Sequence, residues 1–168
     1  MAVNQRYEEG DWLVHVHHGI GQIIKLEQKS IGNSQDLYYR IEGIDCTFWI
    51  PASSIANERI RPAVSKRKMR EAIRILKRPP RQLERDYKKR QQLIKEIMSE
   101  HSLAQNARLV RDLNHAQINR KLGVTESRIL EHLEKHLIME WSVVFDIDLD
   151  EANRRLKESL SVNQVPLP

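Results

Sequence analysis

Between Trp12 and Pro51 apolar residues alternate with polar ones at a period near two, and from Met69 onward they recur every three to four residues. The chain therefore reads as strands followed by helices. Trp12, Val14 and Val16 alternate with Leu13, His15 and His17, a Gly19-Ile20-Gly21 turn follows, and Ile23, Ile24 and Leu26 continue the pattern. Ile31-Gly32-Asn33-Ser34 marks a loop, after which come Leu37 to Ile41, Gly43 and the run Cys46 to Pro51. Four or five short strands at this spacing predict a small antiparallel barrel.

Ser65 is a candidate N-cap, and beyond it Met69, Ala72, Ile73 and Leu76 share one helical face up to the Pro79-Pro80 stop. A second helix is predicted from about Arg81 to Glu100, with Leu83, Tyr87, Ile94 and Ile97 as sparse apolar positions. A third covers about Leu103 to Leu122, with Leu103, Ala107, Val110 and Leu113 inside. Gly123 ends it, and Thr125 caps a fourth helix carrying Ile129, Leu130, Leu133, Leu137, Ile138 and Trp141. Asp148 and Glu151 have capping-box spacing ahead of Leu149, Ala152, Leu156 and Leu160, and the tail Val162 to Pro168 is expected to fray. The fold class is thus α+β, with a barrel over residues 1–64 and an all-α domain over 65–168.

Charge sharpens this division. Residues 1–65 hold 6 basic and 8 acidic side chains, whereas residues 66–100 hold 13 basic and only 5 acidic, a net of +8. Residues 101–168 are nearly balanced, with 9 basic and 10 acidic. Arg81, Arg85, Lys88, Lys89 and Arg90 lie close together, and clustered cations of this kind suit phosphate contacts better than a solvated face does. With 40% apolar and 30% charged residues, the chain has the profile of a folded soluble protein. No apolar run reaches the roughly 20 residues of a membrane helix, and the start lacks a signal-peptide core, so a cytoplasmic protein is expected.

Catalytic and metal chemistry find little support. His15, His17 and His18 cannot converge on one ion without a sharp bend of the strand. His132 and His136 enclose Glu134 in H-x-E-x-H order, not the H-E-x-x-H order of a metalloprotease. Gly19 and Gly21 lack the third glycine and lysine of a phosphate loop. The single Cys46 permits no internal disulfide and is expected to pack as a small apolar residue. No nucleophile sits in a catalytic context, so no enzyme, cofactor, metal or small-molecule substrate is expected.

Together the strands and helices resemble the CarD/CdnL family of bacterial RNA polymerase-binding transcription regulators. The resemblance is carried, in family order, by Gly10-Asp11, Val16-His17-His18-Gly19, Tyr38-Tyr39, Ile50-Pro51, Ile60-Arg61-Pro62, the Arg85 to Lys88 segment with Tyr87, and Val110-Arg111-Asp112-Leu113. It implies a Tudor-like barrel that binds the RNA polymerase β subunit by strand addition, with Lys29 and Trp49 as partner-binding residues. For Trp49 the competing reading is packing inside the barrel.

The same resemblance implies a helical domain lying on promoter DNA through phosphates and the minor groove, at the upstream edge of the melted region. There an apolar wedge before a basic segment hinders closure of the bubble. In this chain the segment reads Leu83-Glu84-Arg85-Asp86-Tyr87, with leucine where the family has tryptophan and Asp86 where it has a second arginine. The implied DNA-binding residues are Arg81, Leu83, Arg85, Lys88, Lys89 and Arg90, and the protein would be nucleoid-associated through the polymerase. The runner-up is a stand-alone helix-turn-helix regulator over Ile118 to Ile129, reading bases through Glu126, Ser127 and Arg128. A module joined to a larger ATPase ranks last, since the chain has no phosphate loop.

Overall fold

The computed structural model describes residues 7–57, 59–162 and 164, in two compact units that divide after Ala63. In the first, Trp12–His15 (β1), Gly19–Ile31 (β2), Ser34–Gly43 (β3), Thr47–Pro51 (β4) and Ile60–Pro62 (β5) form one antiparallel sheet. The order β4, β3, β2, β1, β5 gives the Tudor-like arrangement. Tyr7, Leu13, Ile23, Ile41, Phe48, Ile50, Ile55 and Ile60 make its core.

Two local expectations are corrected. The chain turns at 16–18, not at Gly19-Ile20-Gly21, which belongs to β2. The reason is His15, whose Nδ1 accepts the backbone N–H of His17 at 3.1 Å and of His18 at 3.3 Å, while Gly19 re-enters the sheet at a φ of 75°. Gly21 serves close strand approach instead, because a Cβ there would lie 2.6 Å from Ile41 Cγ2. Cys46, expected to pack, is exposed in the connection between β3 and β4.

A register shift between Ile23 and Lys25 bends β2. Beyond it β2 and β3 continue as a hairpin closed by Gly32-Asn33, with Gly32 at a φ of 64°. The bend matters for the site, because it sets Lys25, Glu27 and Lys29 on the same face as Asp36, Tyr38 and Arg40.

The second unit contains Lys66–Leu76 (α1), Tyr87–Ser99 (α2), Leu103–Asn119 (α3), Val124–Phe145 (α4) and Leu149–Ser161 (α5). Ser65 caps α1 by accepting the Lys68 N–H, and Met69, Ala72, Ile75 and Leu76 are buried against α3, α4 and α5. Leu103, Ala107, Val110 and Leu113 form the inner face of α3, as their spacing predicts. Among the described residues no helix is long and apolar enough to cross a membrane.

The helix boundaries bring three differences. The second helix begins at Tyr87, not near Arg81, because Asp86 caps it by accepting the Lys89 N–H at 2.9 Å, which leaves residues 77–86 non-helical. Gly123, not Thr125, is the N-cap of α4, and the Glu126 carboxylate accepts its N–H at 3.3 Å. Asp148 does cap α5 through the Glu151 N–H at 2.7 Å, but Glu151 turns to Arg154 and Arg155 rather than back to Asp148. Most of the tail expected to fray lies outside the described residues.

Candidate partner-binding and nucleic-acid-binding sites

Alternation along β4 turns Phe48 and Ile50 into the sheet's core and Trp49 outward, where it is 38% exposed. Trp49 therefore does not pack inside the barrel. The structure brings the two predicted partner-binding residues together: Lys29 Nζ lies 3.5 Å from the centre of the Trp49 ring. The indole N–H donates to Glu27 at 2.6 Å, and Lys25 also pairs with Glu27 at 2.6 Å. Lys25 first, and then the indole, hold the Glu27 carboxyl below its ordinary pKa.

Glu27 is the member of this cluster that sequence reasoning misses. Its i, i+2 spacing to Lys25 and Lys29 in a strand is the available signal, since residues two apart share a face. The cluster offers a partner a tryptophan of fixed orientation bordered by charges of both signs. Two stretches of backbone edge accompany it: β2 from Lys25 to Ile31 runs beyond its pairing with β1, and β3 from Ser34 to Leu37 runs beyond its pairing with β4.

In the helical unit, Arg81, Leu83 and Arg85 fall on the non-helical segment before α2, not on a helix. Charged residues pin that segment at both ends. Asp112 accepts the Arg81 backbone N–H at 2.8 Å and is itself held by Arg111 Nε at 2.7 Å. At the other end, Arg90 Nη1 donates to the carbonyls of Glu84 at 2.8 Å and Arg85 at 3.2 Å, while its Nε donates to Glu126 at 2.5 Å. Leu83 is half-buried against the helical core.

Glu126 is only 1% exposed. Burial pushes its carboxyl pKa up, but the Arg90 hydrogen bond, the Gly123 N–H and the charges of Arg90 and Arg120 together bring it below the ordinary value. So Glu126, the first of three residues a helix-turn-helix would use on bases, is committed to the interior. Arg90 likewise has most of its guanidinium engaged, with its side chain 12% exposed.

Arg81, Leu83, Arg85 and Arg90 line one groove of about 650 Å³ with Asp112, His115, Asn119 and Arg120. Lys88 and Lys89 stand apart on the exposed side of α2. The groove thus unites four of the six predicted DNA-binding residues. Among the described residues no set of three or more His, Cys, Asp or Glu side chains is placed to hold a metal ion.

Comparison with known proteins agrees with this layout. Residues 7–64 match the CarD-like/TRCF RID domain, and residues 71–157 match CarD, C-terminal domain. The chain is also 25% identical over 140 residues to the Bacillus subtilis (strain 168) protein named "Putative transcription factor YdeB", covering 82% of this chain and 92% of that one. The two matched domains take in the whole sheet and, in family order, the helical unit from the middle of α1 to most of α5, and the chain belongs to the CarD family of transcription regulators.

Proposed function

We propose that the protein binds the β subunit of RNA polymerase through its sheet and touches promoter DNA through residues 81–90, thereby changing the lifetime of the open complex and the rate of initiation. It would act in the cytoplasm, nucleoid-associated through the polymerase, and without catalysing a reaction. The observation that carries this reading is the pinned segment, in which apolar Leu83 is flanked by Arg81 and Arg85 on a backbone held at both ends.

A segment already ordered loses little entropy on binding, and an apolar side chain between cations suits insertion at a base step. Leucine supplies bulk but no ring to stack on a base, so the stabilisation of the bubble is weaker than a tryptophan would give. Lys88 and Lys89 add phosphate contacts one turn on, offsetting Asp86. Arg90 supports the segment from behind, with its charge offset by Glu126. In the sheet, Lys29 and Trp49 serve as side-chain contacts beside a backbone edge open to strand addition.

The decisive experiment measures open-complex lifetime with the full chain and its Leu83→Trp variant on one promoter. The substitution should lengthen the lifetime. An unchanged lifetime, with polymerase binding intact, would remove Leu83 from the bubble edge. Loss of polymerase binding in Lys29→Ala with Trp49→Ala tests the other half of the reading.

A further inference from the structure

We infer that α1 is a second surface for the phosphate backbone of duplex DNA, separate from the Leu83 segment. The inference rests on the reading that the protein touches DNA, and it adds a surface that reading does not use.

From Lys66 to Arg78 the chain carries seven cations, namely Lys66, Arg67, Lys68, Arg70, Arg74, Lys77 and Arg78, against one carboxylate, Glu71. All seven are exposed. At 100° per residue, Arg67, Arg70 and Arg74, continued by Lys77 at the C-cap, form a stripe on the side of α1 opposite buried Met69, Ala72 and Leu76, and Arg78 follows just past the helix. A solvated helix face ordinarily mixes signs, with acidic residues spaced to pair with the basic ones. Here the lone acid, Glu71, is already neutralised by Arg67 at 2.7 Å.

The placement of charge along the helix gives an independent argument. Lys66, Arg67 and Lys68 occupy the first turn of α1, and that turn contains no acidic residue. The N-terminal end of a helix is its positive end, so cations there work against helix stability. Arg67 is offset by Glu71, and the buried Glu140 accepts the Val64 N–H at 3.1 Å just ahead of the cap, but Lys66 and Lys68 remain exposed cations at the positive end, a local conflict of the kind that functional surfaces retain. The same arrangement, with helix dipole and side-chain charge of one sign, attracts an anion.

Duplex DNA is the occupant that fits. The stripe offers a row of long cationic side chains, one of which, Arg70, covers the half-buried Phe145 ring at 5.6 Å, and this matches a regular array of phosphates better than a protein interface with an apolar centre. Its C-terminal end, Lys77-Arg78, runs through Pro79-Pro80 into Arg81, so the two cationic surfaces are consecutive in the chain.

The test titrates the full chain with a short mixed-sequence duplex over a range of salt, without polymerase. Three variants are compared: Arg70→Gln/Arg74→Gln/Lys77→Gln, Lys66→Gln/Lys68→Gln, and Arg85→Ala/Lys88→Ala. Each phosphate no longer neutralised should reduce the slope of log affinity against log salt by about 0.9, so the triple variant should be shallower by roughly 2 to 3. The double variant at the helix start should bind DNA more weakly while its Tm rises, a combination that partial unfolding cannot produce.

If both α1 variants bind DNA like the wild type while Arg85→Ala/Lys88→Ala does not, the α1 surface is overturned and the loop reading stands. If the wild type fails to bind duplex even at low salt, both readings fall. If the α1 variants keep DNA binding but lose polymerase, the stripe meets an acidic protein surface, and the inference is likewise overturned.

Discussion

Arg90 and Glu126, 36 residues apart, form a buried ion pair of 2.5 Å between α2 and α4, and the same guanidinium reaches back to the carbonyls of Glu84 and Arg85. One side chain therefore couples the helix packing to the course of the segment that carries Leu83. Arg120, more exposed, adds a longer contact of 3.4 Å to Glu126.

Glu126→Ala should destabilise the helical unit by about 3–5 kcal/mol, since removing one partner leaves the other charge buried and unpaired. Glu126→Gln keeps a hydrogen-bond acceptor for Arg90 and should cost less. Denaturant midpoints measured on the full chain check both values. A change below about 1 kcal/mol in Glu126→Ala would mean that Arg90 swings out to solvent and does not hold the segment.

The same pair sets a pH dependence. Because the Glu126 pKa in the folded protein lies below its unfolded value, the pair contributes stability above the unfolded carboxylate pKa of about 4.3 and loses it as pH falls through the folded value. Below about pH 4 the wild type should lose stability more steeply than Glu126→Gln, which has no proton to gain there. Parallel stability curves for the two proteins in acid would contradict this.

How much of the molecule is legible in its sequence depends on whether local chemistry or tertiary contact decides the matter. The change of period near Ser65 marks the division between sheet and helices because amphipathic periodicity is a local property of the chain. Residues 81–86 read as helix because their apolar and basic positions fit that period, yet Asp86, a strong cap, outweighs them. The cap that Glu126 makes with Gly123 is local, but the hold of Asp112 on Arg81 and of Glu126 on Arg90 is not readable locally, since each spans at least 31 residues. The match of Val110 to Leu113 to a family pattern does point to that stretch, and the structure supplies a physical reason in the Asp112 hydrogen bond to Arg81.

On the sheet, neighbouring residues should separate function from folding. Trp49→Ala removes an outward side chain and should change stability by no more than about 1 kcal/mol while weakening partner binding, because its cation-π contact is at the surface. Phe48, 7% exposed and in the core, should cost about 3–5 kcal/mol as Phe48→Ala. Thermal unfolding and polymerase co-elution, run side by side, test the contrast. Equal destabilisation of the two variants would return Trp49 to a packing role.

Among the cations of the second unit, the structure predicts two kinds of behaviour. Arg85 and Lys88 are exposed, so Arg85→Ala/Lys88→Ala should leave stability nearly unchanged and make the salt dependence of DNA binding shallower by about one unit of slope for each phosphate the variant no longer reaches. Arg90→Ala instead strands Glu126 in the interior and frees two carbonyls, so it should lower stability by about 3–5 kcal/mol. Its effect on DNA should appear as a loss of open-complex lifetime greater than its change in salt slope, because the segment bearing Leu83 loses its fixed course. Titrations of duplex DNA at several salt concentrations, with lifetimes measured on the same proteins, separate the two. If Arg90→Ala reduced the salt slope as much as the exposed pair while folding normally, Arg90 would be a phosphate contact and the pinning of the segment would fall to Asp112.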